Sequence, residues 1–274
     1  MADNWTTTIN MGVPNPARIY DYLLGGKDNF PADRDVAEQI LAIAPVARDV
    51  VEDNRAFLRR AVRFLTSEAG IRQFIDLGSG LPTQGNVHEI AQADAADARV
   101  VYVDNDAMVV THSRALLAGD NTVAVQADLR EPERLLAHPE VRQLIDFDQP
   151  VALLLMAILH FVPDDEDPFG IVARFRDALP AGSYVAISHG TRDIPARPDM
   201  SPEEMTEMGT KVERLYQLTT ASLVTRTHAE VERFFDGLDL LDPGVVEIQR
   251  WRPDGRRPML PGGFYGGVGR KPWG

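Results

Sequence analysis

The stretch Phe74-Ile75-Asp76-Leu77-Gly78-Ser79-Gly80-Leu81-Pro82-Thr83 carries the residue types needed to grip a charged, nucleotide-like ligand. A short apolar run ends in Asp76, and Gly78, Ser79 and Gly80 then form a turn before a helical pattern with Val87, Ile90 and Ala91. Without a Cβ, Gly78 and Gly80 let the backbone turn sharply and approach a ligand. The start of the following helix offers free N–H groups to a carboxylate or phosphate. Two further apolar runs also end in acids. Val100-Val101-Tyr102-Val103 leads to Asp104 and Asn105, and Val123-Ala124-Val125-Gln126-Ala127 leads to Asp128 and Leu129. A carboxylate at the end of the second strand is placed to hold two ribose hydroxyls. His160 follows the fourth run, which ends in Met156, and His189 follows Ser188 of the fifth. Either imidazole has the chemistry to deprotonate a hydroxyl near neutral pH, and either could equally do no more than bind a loop carbonyl.

The elements that position these groups follow from periodicity. From residue 71 apolar runs of strand length alternate with helical patterns, which implies a parallel sheet with helices on both faces. Residues 150–156 are apolar throughout and read as a central strand, and residues 183–188 as the fifth. The helix after Asp128 is expected to break at Pro139. Ser201-Pro202-Glu203-Glu204 starts a helix inserted after the fifth strand, with Met205, Met208, Val212 and Leu215 on one face. That face reads either as ordinary packing or as the wall of a substrate pocket. Thr227-His228-Ala229-Glu230 opens another helix, and residues 245–248 and 264–269 read as the last two strands. Upstream, helices are expected over residues 33–44 and 53–69. Residues 14–30 crowd aromatics, charges and the pair Gly25-Gly26 together. They read either as a packed tail or as a lid with Tyr22, Lys27 and Asn29 turned toward a ligand. The expected division is residues 1–70 as lid and supporting helices and 71–274 as ligand-binding core, with the insertion at about 195–226.

Composition narrows the function. A net charge of −13 argues against nucleic-acid binding through phosphates. With no Cys in 274 residues, disulfides, thiolate zinc sites and iron–sulfur chemistry are impossible. No secretion signal or membrane-length apolar run is visible, so the expected location is cytoplasmic. The acids Asp164, Asp165, Glu166 and Asp167 point in different directions as consecutive residues and read as a solvated helix cap, so no metal site is expected.

Three strands each delivering an acid at their carboxyl edge is the layout of a Rossmann-like methyltransferase that binds S-adenosylmethionine. Pro82 stands where a dinucleotide-binding turn keeps a third glycine, which favours the sulfonium cofactor over NAD. The chain resembles, over nearly its whole length, a family of S-adenosylmethionine-dependent methyltransferases abundant in actinomycetes and long known as a domain of unknown function. The resemblance rests on residues 18–30 (RIYDYLLGGKDNF), 76–83 (DLGSGLPT), 102–106 (YVDND) and 263–271 (GFYGGVGRK). It implies an α/β class I fold: a seven-stranded, mostly parallel sheet with a terminal antiparallel strand, an N-terminal helical lid and a helical insertion. It further implies that the turn at Asp76, Gly78, Ser79 and Gly80 passes the methionine moiety and that Asp104 holds the ribose, with Asn105 beside the adenine. Asp128 and Leu129 would flank the adenine, and Lys27 or Arg18 would pair with the cofactor carboxylate.

The acceptor is expected to be a small molecule. The fourth strand lacks the Asn/Asp-Pro-Pro-Tyr/Phe ending used on planar amino groups, and the fifth lacks the Asp-Asn pair of magnesium-dependent catechol methylation. O-methylation is the leading expectation. The alternatives are a non-catalytic cofactor-binding module and, more weakly, an NAD-dependent oxidoreductase.

Overall fold

Strand-forming runs that are apolar on both faces can be satisfied only inside a covered sheet, and that is where they lie. The structure, a computed structural model, describes residues 10–82, 85–116, 119–193, 200–255 and 263–273. It opens with three helices, α1 (Pro16–Leu23), α2 (Pro31–Ile43) and α3 (Ala47–Ser67). Strands and helices then alternate: β1 (Gln73–Leu77), α4 (Val87–Asp94), β2 (Arg99–Asp104), α5 (Ala107–Leu116) and β3 (Thr122–Gln126). The helical pattern after β3 is split in two, α6 (Pro132–Leu136) and α7 (Pro139–Leu144), with Pro139 opening the second as its sequence demands. Next come β4 (Ala152–Met156), α8 (Pro168–Ala178), β5 (Tyr184–Gly190) and the inserted helix α9 (Pro202–Tyr216). The described chain finishes with α10 (His228–Glu232), β6 (Asp239–Leu240), β7 (Val246–Glu247) and β8 (Phe264–Arg270).

Among the described residues these strands form one eight-stranded sheet in the order β3-β2-β1-β4-β5-β8-β6, with β7 also on β8. β1 to β5 are mutually parallel, whereas β8 runs antiparallel to β5, β6 and β7. Seven strands were expected, with a single one over residues 245–248. The position is instead shared by two short strands because Pro243 has no N–H to give and Gly244, at φ +84°, turns the chain between them.

Alternation divides the core. Ile75, Leu77, Val101, Val103, Leu153 and Leu155 face α6, α7, α8 and α10, while Phe74, Val100, Ala152 and Leu154 face α3 and α4. Helix α3 contributes Phe57, Leu58, Ala61, Val62 and Leu65 to that second layer, so it belongs to the sheet's own core. α1 and α2 form a separate small cluster through Ile19, Leu23, Val36 and Ile40, onto which Leu215 and Tyr216 of α9 pack. No helix among the described residues is long and apolar enough to cross a membrane.

Candidate active site

The turn after β1 is built by glycine geometry. Gly78 and Gly80 sit at φ +67° and +65°, and a Cβ on Gly78 would fall 2.3 Å from Ile158 Cγ1. The Gly78 and Ser79 amides donate to Val103 O at 2.8 and 3.1 Å, and the Gly80 amide donates to Asp104 Oδ2 at 3.0 Å. The other oxygen, Asp104 Oδ1, accepts from the Asp106 amide at 2.9 Å. Burial pushes Asp104 up to about 6 against these hydrogen bonds. Asp76 is pushed up to about 7 by burial, with the Arg55 charge opposing and the Asp104 charge adding to the rise. Ser79 Oγ is buried without a partner.

A cavity of about 690 Å³ opens over this turn at the carboxyl ends of β1 to β5. Asp76, Gly78, Ser79, Gly80, Asp104, Asn105, Asp128, Leu129, Met156 and His160 all line it. Asp128 is partnered there by Arg130, whose amide and guanidinium both reach its carboxylate. The far wall comes from Phe161, from Met208, Val212 and Tyr216 of α9, and from Phe264. One methionine of the pair on α9 therefore faces the cavity, while Met205 is buried.

Tyr22, Lys27 and Asn29 are not on that wall, which corrects their expected orientation. Helix α1 presents Ala17, Arg18, Tyr20 and Asp21 to the cavity, and Tyr22 lies roughly 100° further round, bonding Glu38 of α2. Gly25, at φ +78°, ends the helix, and the Gly26 amide returns to Asp21 O at 2.8 Å. A Cβ on Gly26 would fall 1.9 Å from Asp21 Oδ1, so a larger residue there would have to displace the carboxylate that holds the turn. Asn29 is buried and donates to Asp21 Oδ2 at 2.8 Å and Gly26 O at 3.1 Å, while Lys27 is exposed. The polar density of this motif thus serves a self-contained helix-ending turn. Arg18 does line the cavity, but its guanidinium is bound to Asp33 at 2.8 Å and Val13 O at 2.6 Å.

The two histidines have fixed tautomers. The Gly190 amide can only donate, so His160 Nδ1 at 3.2 Å is an acceptor and the ring proton is on Nε2. Burial, with His189 and Arg226 behind it, holds His160 well below the usual histidine range. Its one lone pair is occupied, which removes the base role considered from sequence. His189 is not on the cavity wall. It is fully buried, donates from Nδ1 to Gly190 O at 2.7 Å and accepts at Nε2 from Arg226 Nη1 at 2.8 Å. Its pKa is lowered by burial to about 3. It is a structural group of the β5 end, and with both ring nitrogens engaged it has no lone pair for the base role expected of it.

Sequence patterns gave no sign of Arg226, a buried cation that also binds Leu159 O at 3.2 Å, Val162 O at 3.0 Å and Asp164 Oδ1 at 2.5 Å. In the acidic run Asp164 thus pairs with Arg226, Glu166 pairs with Arg130, and Asp167 caps α8 through the Gly170 amide at 3.0 Å. Also unforeseen is a directed relay. The Ala157 amide donates to Ser188 Oγ (3.0 Å), Ser188 Oγ to Asn54 Oδ1 (2.6 Å), Asn54 Nδ2 to Tyr20 Oη (3.0 Å), and Tyr20 to Val51 O (3.1 Å). It ties the N-terminal helices to Ala157, a non-glycine residue held at φ +54° beside the Gly78 turn.

The profile of the S-adenosyl methyltransferase family matches residues 2–272. The chain belongs to that family. It is 43 % identical to a DUF574 family protein from Streptomyces avermitilis whose crystal structure superposes with a TM-score of 0.88, covering 97 % of this chain and 100 % of that one. A candidate methyltransferase from Thermobifida fusca is 44 % identical, with a TM-score of 0.86 and 96 % of both chains covered. A 1,6-didemethyltoxoflavin-N1-methyltransferase from Burkholderia thailandensis, 17 % identical, shares the fold alone (TM-score 0.50; 88 % of this chain and 89 % of that one). A comparison with curated proteins finds no match.

The cofactor of an S-adenosyl methyltransferase is cationic at sulfur and zwitterionic at its amino-acid end, and the donor set fits it. Asp76 is a buried acid that takes no hydrogen bond from the described residues, Ser79 Oγ lacks a partner, and Arg55 lies on the same wall. The buried acids also set a pH dependence. Asp76 and Asp104 have folded pKa values of about 7 and 6, raised from 3.8, so the folded state holds more protons than the unfolded one between those limits. Stability of the free protein is therefore fully present below about pH 4 as far as these groups go, and is lost as pH rises through 6 and 7. Thermal denaturation is expected to show a lower Tm at pH 8 than at pH 5.5, and Asp76→Asn should remove part of that fall. A Tm that rises over this range without ligand would contradict the assignment of both groups as buried acids with raised pKa values.

Proposed function

We propose that this chain is an active methyltransferase carrying a methyl group from S-adenosylmethionine to an oxygen of a small-molecule acceptor. The observation that supports this most is the continuity of the cavity. Strand-end acids line one end, and an apolar wall from Phe161, α9 and Phe264 lines the other, within a volume typical of small-molecule sites. A module that only stored the cofactor would have no use for that second half.

In this reading Asp104 holds the ribose hydroxyls, and Asp128, Leu129 and Asn105 surround the adenine. Asp76 faces the ammonium, Ser79 Oγ and Arg55 face the carboxylate, and Met156 closes the floor beside them. Bound S-adenosylmethionine supplies an electrophilic methyl group, so the transfer is an in-line displacement that needs positioning above all. The protein's share is to fix both partners in line, and the Gly78–Ile158 packing and the Ala157 relay keep the two loops of the reaction centre in register.

Calorimetric titration of the protein with S-adenosylmethionine, S-adenosylhomocysteine and NAD tests the reading. Saturable binding of the two sulfur ligands with NAD silent is the expected result. Binding of NAD alone, or of none of the three, would overturn it.

A further inference from the structure

Resting on the methyltransferase reading, we propose that the acceptor is an acidic hydroxyl compound of phenol type. It binds as its oxyanion between His160 Nε2–H and the Tyr216 hydroxyl, and the protein supplies no general base.

His160 lies on the cavity wall with Nδ1 committed to the Gly190 amide, so what it can offer a ligand is the Nε2–H, which has no partner among the described residues. Protonating Nδ1 would set two N–H groups against each other, and the Arg226 guanidinium behind the ring disfavours a second proton further. Tyr216, at the end of α9, is on the same wall, and its hydroxyl is likewise unpartnered. Burial and the neighbouring Tyr20 raise its pKa, so it stays a donor. Phe161 links the two, with ring centroids 4.4 Å from His160 and 5.6 Å from Tyr216.

The carboxylates of the cavity are elsewhere. Asp76, Asp104, Asp106 and Asp128 stand at the ends of β1 to β3, and Asp21 is taken by the Asp28 amide and Asn29. No carboxylate on the described wall comes from the β4, β5 or α9 side. A neutral hydroxyl arriving there finds no carboxylate and no free imidazole nitrogen to take its proton, and an ammonium finds no carboxylate to balance its charge. An oxyanion accepts from both donors. Hydrogen bonds to a charged group are the stronger kind. The proton is lost to solvent before binding. The oxygen lone pair then forms the O–C bond as the S–C bond pair leaves on sulfur, giving a neutral ether and a neutral thioether.

The test uses protein saturated with S-adenosylhomocysteine and the probe 4-nitrophenol, whose absorbance reports its ionisation. The phenolate is expected to bind at least about tenfold more tightly than the phenol, lowering the bound probe's apparent pKa by about one unit. Tyr216→Phe and His160→Ala should each reduce that preference by several-fold, and His160→Gln, which keeps an N–H, should restore part of it. Equal or absent phenolate binding, a preference for 4-nitroaniline, or a preference unchanged in Tyr216→Phe overturns the proposal. Calorimetric binding of S-adenosylhomocysteine, measured first on every variant, separates the cases. If the wild type fails to bind it, the methyltransferase reading falls. If it binds and the phenolate is not preferred, the acceptor proposal alone falls.

Discussion

Asp104→Ala is expected to weaken binding of S-adenosylhomocysteine by at least about a hundredfold. Hydrogen bonds from two ribose hydroxyls to one carboxylate contribute about 1.5–3 kcal/mol each. The same side chain also accepts from Gly80 N at 3.0 Å and Asp106 N at 2.9 Å, so its loss loosens the glycine turn as well. Asp104→Asn separates the two effects. It keeps an oxygen for one amide, and its binding should fall between the wild type and the alanine variant. Calorimetric dissociation constants decide the matter, and an alanine variant within threefold of wild type would place the ribose elsewhere.

The largest effect on stability is expected at Arg226. Its guanidinium serves His189 Nε2, Leu159 O and Val162 O, all buried, and lies 5.6 and 5.5 Å from the ring centres of Phe169 and Phe234. Alanine would leave those acceptors unpaired at about 1–3 kcal/mol each, for a net loss of roughly 3–5 kcal/mol. Lysine would not rescue, because an ammonium cannot reproduce the planar fork. Urea unfolding with a shared slope gives the readout, and a loss below about 1 kcal/mol would mean that water replaces the guanidinium. Breaking the exposed pair Arg192–Glu230, by contrast, should change little.

The sheet and its strand-end acids were legible because both are local signals. Apolar runs of strand length must be buried, and an acid at the end of such a run must emerge at the sheet's edge. Asp76, Asp104 and Asp128 accordingly meet in one cavity. Both capping boxes were also legible, Ser201 accepting from Glu204 N and Thr227 from Glu230 N at the starts of α9 and α10. What depended on partners distant in sequence was hidden. Tyr22 and Asn29 looked like ligand groups because no periodicity shows that Tyr22 bonds Glu38 or that the Asp21 carboxylate takes Asn29, and Lys27 is simply exposed. The histidines looked like bases because the Gly190 amide and Arg226 that fix their tautomers lie 30 and 37 positions away. β6 is two residues long and has no period to read.

The antiparallel placement of β8 sets an order of assembly. Ile187 of β5 pairs with Gly267, 80 positions later, so β5 has a partner on one side only until β8 emerges during synthesis. Until then a seven-residue strand offers an open row of N–H and C=O groups, the kind of edge on which chains aggregate. Phe264 of β8 lines the cavity, and a Cβ on Gly266 of β8 would fall 3.1 Å from Phe57 Cε1 of α3. Completion of the sheet and of the Phe264 side of the cavity are therefore one event. The strand-end acids Asp76, Asp104 and Asp128 are all made before residue 264, so the edge of β5 stays open after the residues of the cofactor end exist.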